Sequence, residues 1–181
     1  MARGPLRMLR GAVARKRDGT FVLRLDADEV ELLASLAAQL DPLLDDSAAN
    51  PVLRRLFPPA HTEDVLAEAA WQIEQGSSLR DSRRAALDTL RHPPGQPMSE
   101  DQLVAWMQGV NSLRLVLAER LGVGDDSDQE RDLVTALSGL AAGDDEEAAD
   151  QARQLLGAWQ VYGLLGWMVD GAVTALGDPT A

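Results

Sequence analysis

The chain has 181 residues and a mass of 19.5 kDa, with 45% hydrophobic and 25% charged residues. These are ordinary proportions for a globular protein long enough to bury a real core, and they exclude collagen-like, mucin-like and grossly disordered chains. Seventeen basic against 29 acidic side chains give a net charge of −12, which repels nucleic acid and anionic membranes where charge is evenly spread; the lack of cysteine excludes disulfides, thiolate metal sites, cysteine nucleophiles and thiol switches.

The charge is not evenly spread. Residues 1–24 hold Arg3, Arg7, Arg10, Arg15, Lys16, Arg17 and Arg24 against Asp18 alone, a net charge of +6 that leaves −18 for the rest. No apolar stretch follows this basic start, so no secretory signal is expected. Thr20, Val22 and Arg24 alternate with Phe21, Leu23 and Leu25, the period-two pattern of a half-buried strand. Asp18-Gly19 before it marks a tight hairpin turn, because both central residues can take positive φ, and the partner strand falls at about Met8 to Lys16. An isolated hairpin is marginal in water, so its apolar face must rest on helices.

From Asp26 onward the pattern is helical. Asp26 with Glu29 forms a capping box, and Leu33, Leu36, Leu40 and Leu43, widened by Leu32 and Leu44, make a stripe that Asp41-Pro42 ends or kinks. Asn50-Pro51 starts a short helix, Val52 to Phe57, stopped by Pro58-Pro59. Thr62 opens a helix that Gly76 ends, and Ser77 or Ser78 starts another that reaches Arg91. Ser99 with Gln102 makes a second capping box, followed by Leu103, Trp106, Met107, Val110, Leu113, Leu117 and Leu121 at helical spacing until Gly122. The off-stripe Leu115 and Val116 predict that this helix is covered on two sides. Residues 124–150 are strongly acidic, with an amphipathic helix expected over Arg131 to Ala142. Leu155 to Leu176 is almost wholly apolar, but Asp170 and the glycines at 157, 163, 166 and 171 favour a central helix buried on most sides over a membrane anchor.

The expectation is a mainly α, compact helical bundle with a small N-terminal β-hairpin packed on it. It is read as one domain over 1–181, with the basic hairpin at 1–25 and the bundle at 26–181.

Candidate chemistry is sparse. There is no phosphate loop and no nucleophile elbow. His61 with Glu63 and Asp64 lacks the i, i+4 pairing of a helical zinc site, and His92 before Pro93 suits a helix end. Asp125, Asp126, Asp128 and Glu130 fail the calcium-loop pattern in the placing of glycine and the last glutamate. No catalytic, cofactor-binding or metal site is assigned. Arg54 and Arg55 flank the aromatic anchor Phe57, and Asn111 and Arg114 share one face of an apolar helix. Each set is either a polar clasp that satisfies buried arginines or a contact site for a partner or anion. Arg15, Lys16 and Arg17 in the basic arm either face phosphates or satisfy acidic patches of this chain or a neighbour. Trp71, Trp106, Trp159 and Trp167 are expected in cores, with Trp167-Met168 as an alternative dimer surface.

Several segments together resemble a known family: the Asp-Gly hairpin, Glu29 to Leu40 (EVELLASLAAQL), Asn50 to Ala60 (NPVLRRLFPPA), Leu79-Arg80, and Asn111 to Val123 (NSLRLVLAERLGV). They are similar to the AosR-like actinobacterial family, catalogued as a domain of unknown function, over nearly the whole chain. Arginine as all but one of the basic residues fits a GC-rich actinobacterial source. The resemblance implies a small helical cytoplasmic protein, often encoded beside the Clp adaptor ClpS. Some members are named oxidative-stress transcriptional regulators that work through a redox-active cysteine pair, which this chain lacks.

The sequence therefore predicts a non-enzymatic, cytoplasmic regulatory protein without a cofactor, acting through protein partners and as a homodimer. Partners in the transcription or Clp machinery are implied by the resemblance alone. Its candidate partner contacts are Arg15, Lys16, Arg17, Arg54, Arg55 and Phe57. One alternative is direct DNA binding by the basic arm; another is a small-molecule binder or enzyme with a pocket near Asn111 and Arg114.

Overall fold

The computed structural model describes residues 11–46, 50–124 and 146–177. The helix expected over Arg131 to Ala142 and the acidic run Asp125 to Glu130 lie outside the described residues, as do Arg3, Arg7, Arg10 and the expected strand start at Met8.

Strand β1 (Val13–Arg15) pairs antiparallel with β2 (Phe21–Leu23), Val13 opposite Leu23 and Arg15 opposite Phe21. The Lys16 N–H donates to Thr20 O at 2.7 Å and the Gly19 N–H to Lys16 O at 3.0 Å, with Gly19 at φ 83°. That is a three-residue loop with one left-handed glycine, not a tight turn centred on the Asp-Gly pair. Asp18 instead accepts from the backbone N–H and hydroxyl of Thr20, which holds its carboxyl below the ordinary value. Phe21 exchanges two backbone hydrogen bonds with Met98, at 2.9 and 2.8 Å, and Gln96 Oε1 accepts from the Leu23 N–H. The outer edge of β2 is thereby closed by the segment before the third helix, and Phe21 and Met98 are wholly buried.

Helix α1 (Ala27–Leu40) begins at the expected Asp26–Glu29 capping box. Past Leu40 the chain tightens into a 3-10 turn, Asp41–Asp46, which swings Leu44 into the core and Leu43 out. The buried stripe is thus Leu33, Ala37, Leu40 and Leu44. Asn50 caps only a 3-10 turn, Pro51–Leu53, where a helix to Phe57 was expected; Leu53 and Leu56 are its buried anchors.

Helix α2 (Val65–Arg91) is continuous and capped by Asp64 rather than Thr62. Gly76 does not end it. A mid-helix glycine costs about 1 kcal/mol but removes no hydrogen bond, and the apolar face beyond it, with Leu87 and Leu90 in the core, holds the ladder together. Helix α3 (Glu100–Arg120) starts at the Ser99–Gln102 capping box. It ends where Gly122, at φ 65°, lets the Val123 N–H reach Ala118 O and the Gly122 N–H reach Glu119 O, the Schellman arrangement.

Helix α4 (Glu146–Gly177) contains the long apolar run. It is not the central helix. Gln160, Gly163, Asp170, Val173 and Thr174 are exposed along it, and the buried face is Leu165, Met168, Ala172 and Ala175. Met168 is wholly buried, so Trp167-Met168 is not a surface pair. The centre is α3, which packs against α2 and α4 and touches α1 and the Pro51–Leu53 turn. Trp106 on α3 is buried, whereas Trp71 on α2 is only half-buried. Among the described residues no helix is long and apolar enough to cross a membrane.

Two glycines set the closest contacts. A Cβ on Gly109 of α3 would lie 2.5 Å from Ala86 O of α2 and 3.0 Å from Leu90 Cγ; one on Gly171 of α4 would lie 2.8 Å from the Ala12 nitrogen. Gly109→Ala is therefore expected to destabilise the fold by about 1–3 kcal/mol, because the clash is with backbone. Gly163→Ala on α4, whose Cβ would meet nothing within 4 Å, is expected to stabilise it by about 0.5–1 kcal/mol. Urea midpoints of the two variants check both signs.

Candidate functional site

The hairpin displays the described part of the basic arm. Its apolar face is locked down by Phe21 against Met98 and by Ala12 against Gly171, so its position follows from the core. On its outer side the Arg15 guanidinium lies 5.5 Å over the Phe21 ring, while Lys16, Arg17 and Arg24 are exposed. The bonds Lys16 to Thr20 and Arg24 to Ala12 make the even-numbered residues of β1 the bonded ones. The backbone N–H and C=O of Val13 consequently point away from β2, along an edge that no described residue closes as Met98 closes the other.

Beside this edge lies a groove of about 420 Å³, floored by Gly171, Thr174 and Ala175 of α4 and walled by Val13, Ala14 and Trp167. Arg15 and Arg24 contribute its cations and Asp170 its single acid. The Trp167 indole N–H is buried and forms no hydrogen bond. The sequence offered no signal for this groove, since its two walls are about 150 residues apart and come together where Gly171 passes Ala12.

Arg54 and Arg55 converge on one carboxylate of α3. Arg54 Nη2 is 3.0 Å from Glu119 Oε1 and Arg55 Nε is 2.8 Å from Glu119 Oε2. Phe57 rests half-buried on the core beneath them. The polar-clasp geometry is present, with the Arg54 side chain 63% exposed. Asn111 and Arg114 are both half-buried. The Arg114 guanidinium stands 5.3 Å over the Tyr162 ring of α4, with Nη2 at 3.5 Å from its hydroxyl. Arg114 thus ties α3 to α4. The apolar cleft between α1, α3 and α4, about 170 Å³, is lined by Leu36, Leu43, Val116 and Arg120 among others, and includes neither Asn111 nor Arg114.

A third arginine cluster escaped the sequence reading because its partners lie on another element. Asp41, at the end of α1, accepts from Arg84 Nε at 2.7 Å and from Arg91 Nη1 at 2.7 Å, both on α2. Arg84 also holds Asp45 at 2.8 Å. His92 Nδ1 lies 3.0 Å from Asp88 Oδ1 at the C-terminal cap of α2, and the exposed His61 donates its backbone N–H to Glu68. Among the described residues no three His, Asp or Glu side chains are grouped to hold a metal ion.

Comparison with protein families finds one model, "Domain of unknown function (DUF2017)", that matches residues 10–176. No curated protein and no solved structure matches the chain.

The Asp41 clasp makes stability depend on acid. Hydrogen bonds from Arg84, then Arg91, hold the Asp41 carboxyl below its ordinary value against the opposing effect of burial. A depressed folded-state pKa contributes stability that is complete above the unfolded value near 3.9 and lost as pH falls through the folded one. Asp41→Asn is expected to cost about 1–2 kcal/mol at pH 7, with the difference from wild type shrinking below about pH 4. Urea unfolding at pH 7 and pH 3 checks it.

Proposed function

The chain belongs to the DUF2017 family, and on that premise we infer that it is a regulatory protein without enzymatic activity that works by contacting other proteins in the cytoplasm. The finer likeness, to AosR-like actinobacterial regulators of transcription or stress, fits this reading. Without cysteine, its regulation does not run through a thiol switch.

The observation that carries the reading is the strand edge beside the groove, which no described residue closes. A small sheet with an unpaired edge, flanked by a trough, takes an extended segment of another chain as its next strand, and main-chain hydrogen bonds supply the affinity. Arg15 and Arg24 in the trough, with Lys16 and Arg17 at its end, select for an acidic segment. The Arg54, Arg55 and Phe57 corner is a second contact on the same chain. The remaining net charge opposes duplex DNA, whose phosphates compete for the same cations.

Lys16, Arg17 and Arg24 are exposed, and circular dichroism would verify that the variant with all three reversed to Glu keeps its fold. Proteins captured from extract of the source cells by the wild type should be lost by the triple variant. Fluorescence anisotropy should show no binding of labelled duplex DNA at physiological salt. Capture that is indifferent to the reversal would end the protein-contact reading at this surface. Tight, salt-sensitive DNA binding that vanishes in the variant would replace it with DNA recognition.

A further inference from the structure

Because α2 runs unbroken through Gly76, one of its faces is continuous from end to end. Leu66, Ala69, Ile73, Gly76, Arg80 and Arg83 follow one another at spacings of three and four, and the same face reaches the core at Leu87 and Leu90. That alternation is a helix-pairing seam. Inside the bundle α3 fills it, with Gly109 against Ala86. Toward the N-terminus none of the described residues covers the same face. Leu66 is 83% exposed, Ile73 is 82% exposed, and the flanking Val65 is 83% exposed. Three large apolar side chains so open on one helix are unlike the scattered surface leucines of a monomer.

The seam's contents specify what it fits. Large and small residues alternate along it, with Leu66 and Ile73 projecting while Ala69 and Gly76 leave hollows. Two copies laid antiparallel about residue 71 set Leu66 against Gly76 and Ile73 against Ala69, so each projection of one copy meets a hollow of the other. Gly76 is roofed in the single chain by the side-chain ends of its own helix, Gln72 Oε1 and Arg80 Nη1, and these are flexible enough to swing aside. The same register sets Arg80 opposite Thr62 of the second copy, one residue from its Glu63. Neither Arg80 nor Glu63 forms an ion pair within the chain among the described residues, and Glu63 is exposed. Arg83, half-buried and held below its ordinary pKa by burial, closes the seam where it enters the bundle.

We propose that this protein self-associates as a two-fold symmetric dimer through the N-terminal half of α2, the seam from Leu66 to Arg80 of one copy pairing antiparallel with that of another. Such a contact is isologous, so it closes at two and does not propagate.

Sedimentation equilibrium of the full chain across a wide concentration range is expected to give twice the 19.5 kDa mass at the upper end. Leu66→Glu/Ile73→Glu should stay monomeric there with unchanged helicity, since both positions are exposed. Arg80→Glu should weaken the dimer at least several-fold, and adding Glu63→Arg should restore it, which nonspecific apolar association would not do. With no natural cysteine to interfere, Ala70→Cys, close to the two-fold axis, should form an intermolecular disulfide, whereas Ser77→Cys should not. A wild-type chain that remains monomeric, a dimer that survives the double Glu variant, or equal cross-linking at both cysteines overturns the proposal. A monomer that loses binding to a different protein in the double variant would reassign the seam to that protein.

Discussion

The approach of Gly109 to the Ala86 carbonyl is the constraint on which the arrangement of the bundle rests. Two helices joined by the short segment 92–99 are obliged to run antiparallel, but how close they come depends on what lies at the crossing. With no Cβ at Gly109, the α3 backbone reaches α2 nearly in contact, and Leu87, Leu90, Leu103, Trp106 and Val110 close around that point. The crossing turns the opposite side of α3 toward α4, where Leu113 meets the layer of Leu165 and Met168. The hairpin then docks on α4 by the same device, Gly171 against Ala12. The position of the cationic hairpin is therefore a consequence of two glycines, each admitting backbone where any side chain would hold it off.

An acidic protein rich in arginine has an assortment problem, and the fold settles most of it locally. Glu119 takes Arg54 and Arg55, Asp41 takes Arg84 and Arg91, and Tyr162 takes Arg114 through its ring. Each joins elements distant in sequence, and each is partly shielded from solvent, where a bidentate or paired fork keeps more of its strength than a surface pair does. The hairpin differs. Its loop cations stand in solvent, on an element whose strand edge no described residue closes. Positive charge thus gathers beside a strand edge that the described residues leave unpaired, and the proposed docking of an extended acidic segment rests on these two features.

Local chemistry was legible and tertiary choice was not. The capping boxes at Asp26 and Ser99 and the left-handed stop at Gly122 could be read directly, because each involves residues within one turn of each other. The mainly helical bundle with its hairpin followed from periodicity alone. At Gly76 the local cost of glycine predicts a boundary, but the apolar face on either side of it outweighs that cost. By hydropathy alone the apolar run in α4 is the expected centre of the bundle. Hydropathy reports how much surface a helix wants covered, and α3, with a weaker run, is the helix that both neighbours reach. The open groove, the Asp41 clasp and the Phe21–Met98 bridge join residues too far apart for any spacing rule to connect.

The continuity of α2 through Gly76 is also what separates the two outer surfaces. Through Met98 the hairpin is tied to the chain just beyond the C-terminal end of α2, while the exposed seam occupies the N-terminal end of the same helix. A 27-residue helix spans about 40 Å, so binding at one surface leaves the other clear. Antiparallel pairing through the seam carries the two hairpins to opposite ends of the assembly. Two grooves held apart on one rigid axis bind a partner with two acidic segments more tightly than either groove alone, provided the segments span that distance. A partner with a single segment gains nothing. The proposed dimer would therefore select among partners of the proposed groove without adding a contact to the groove itself.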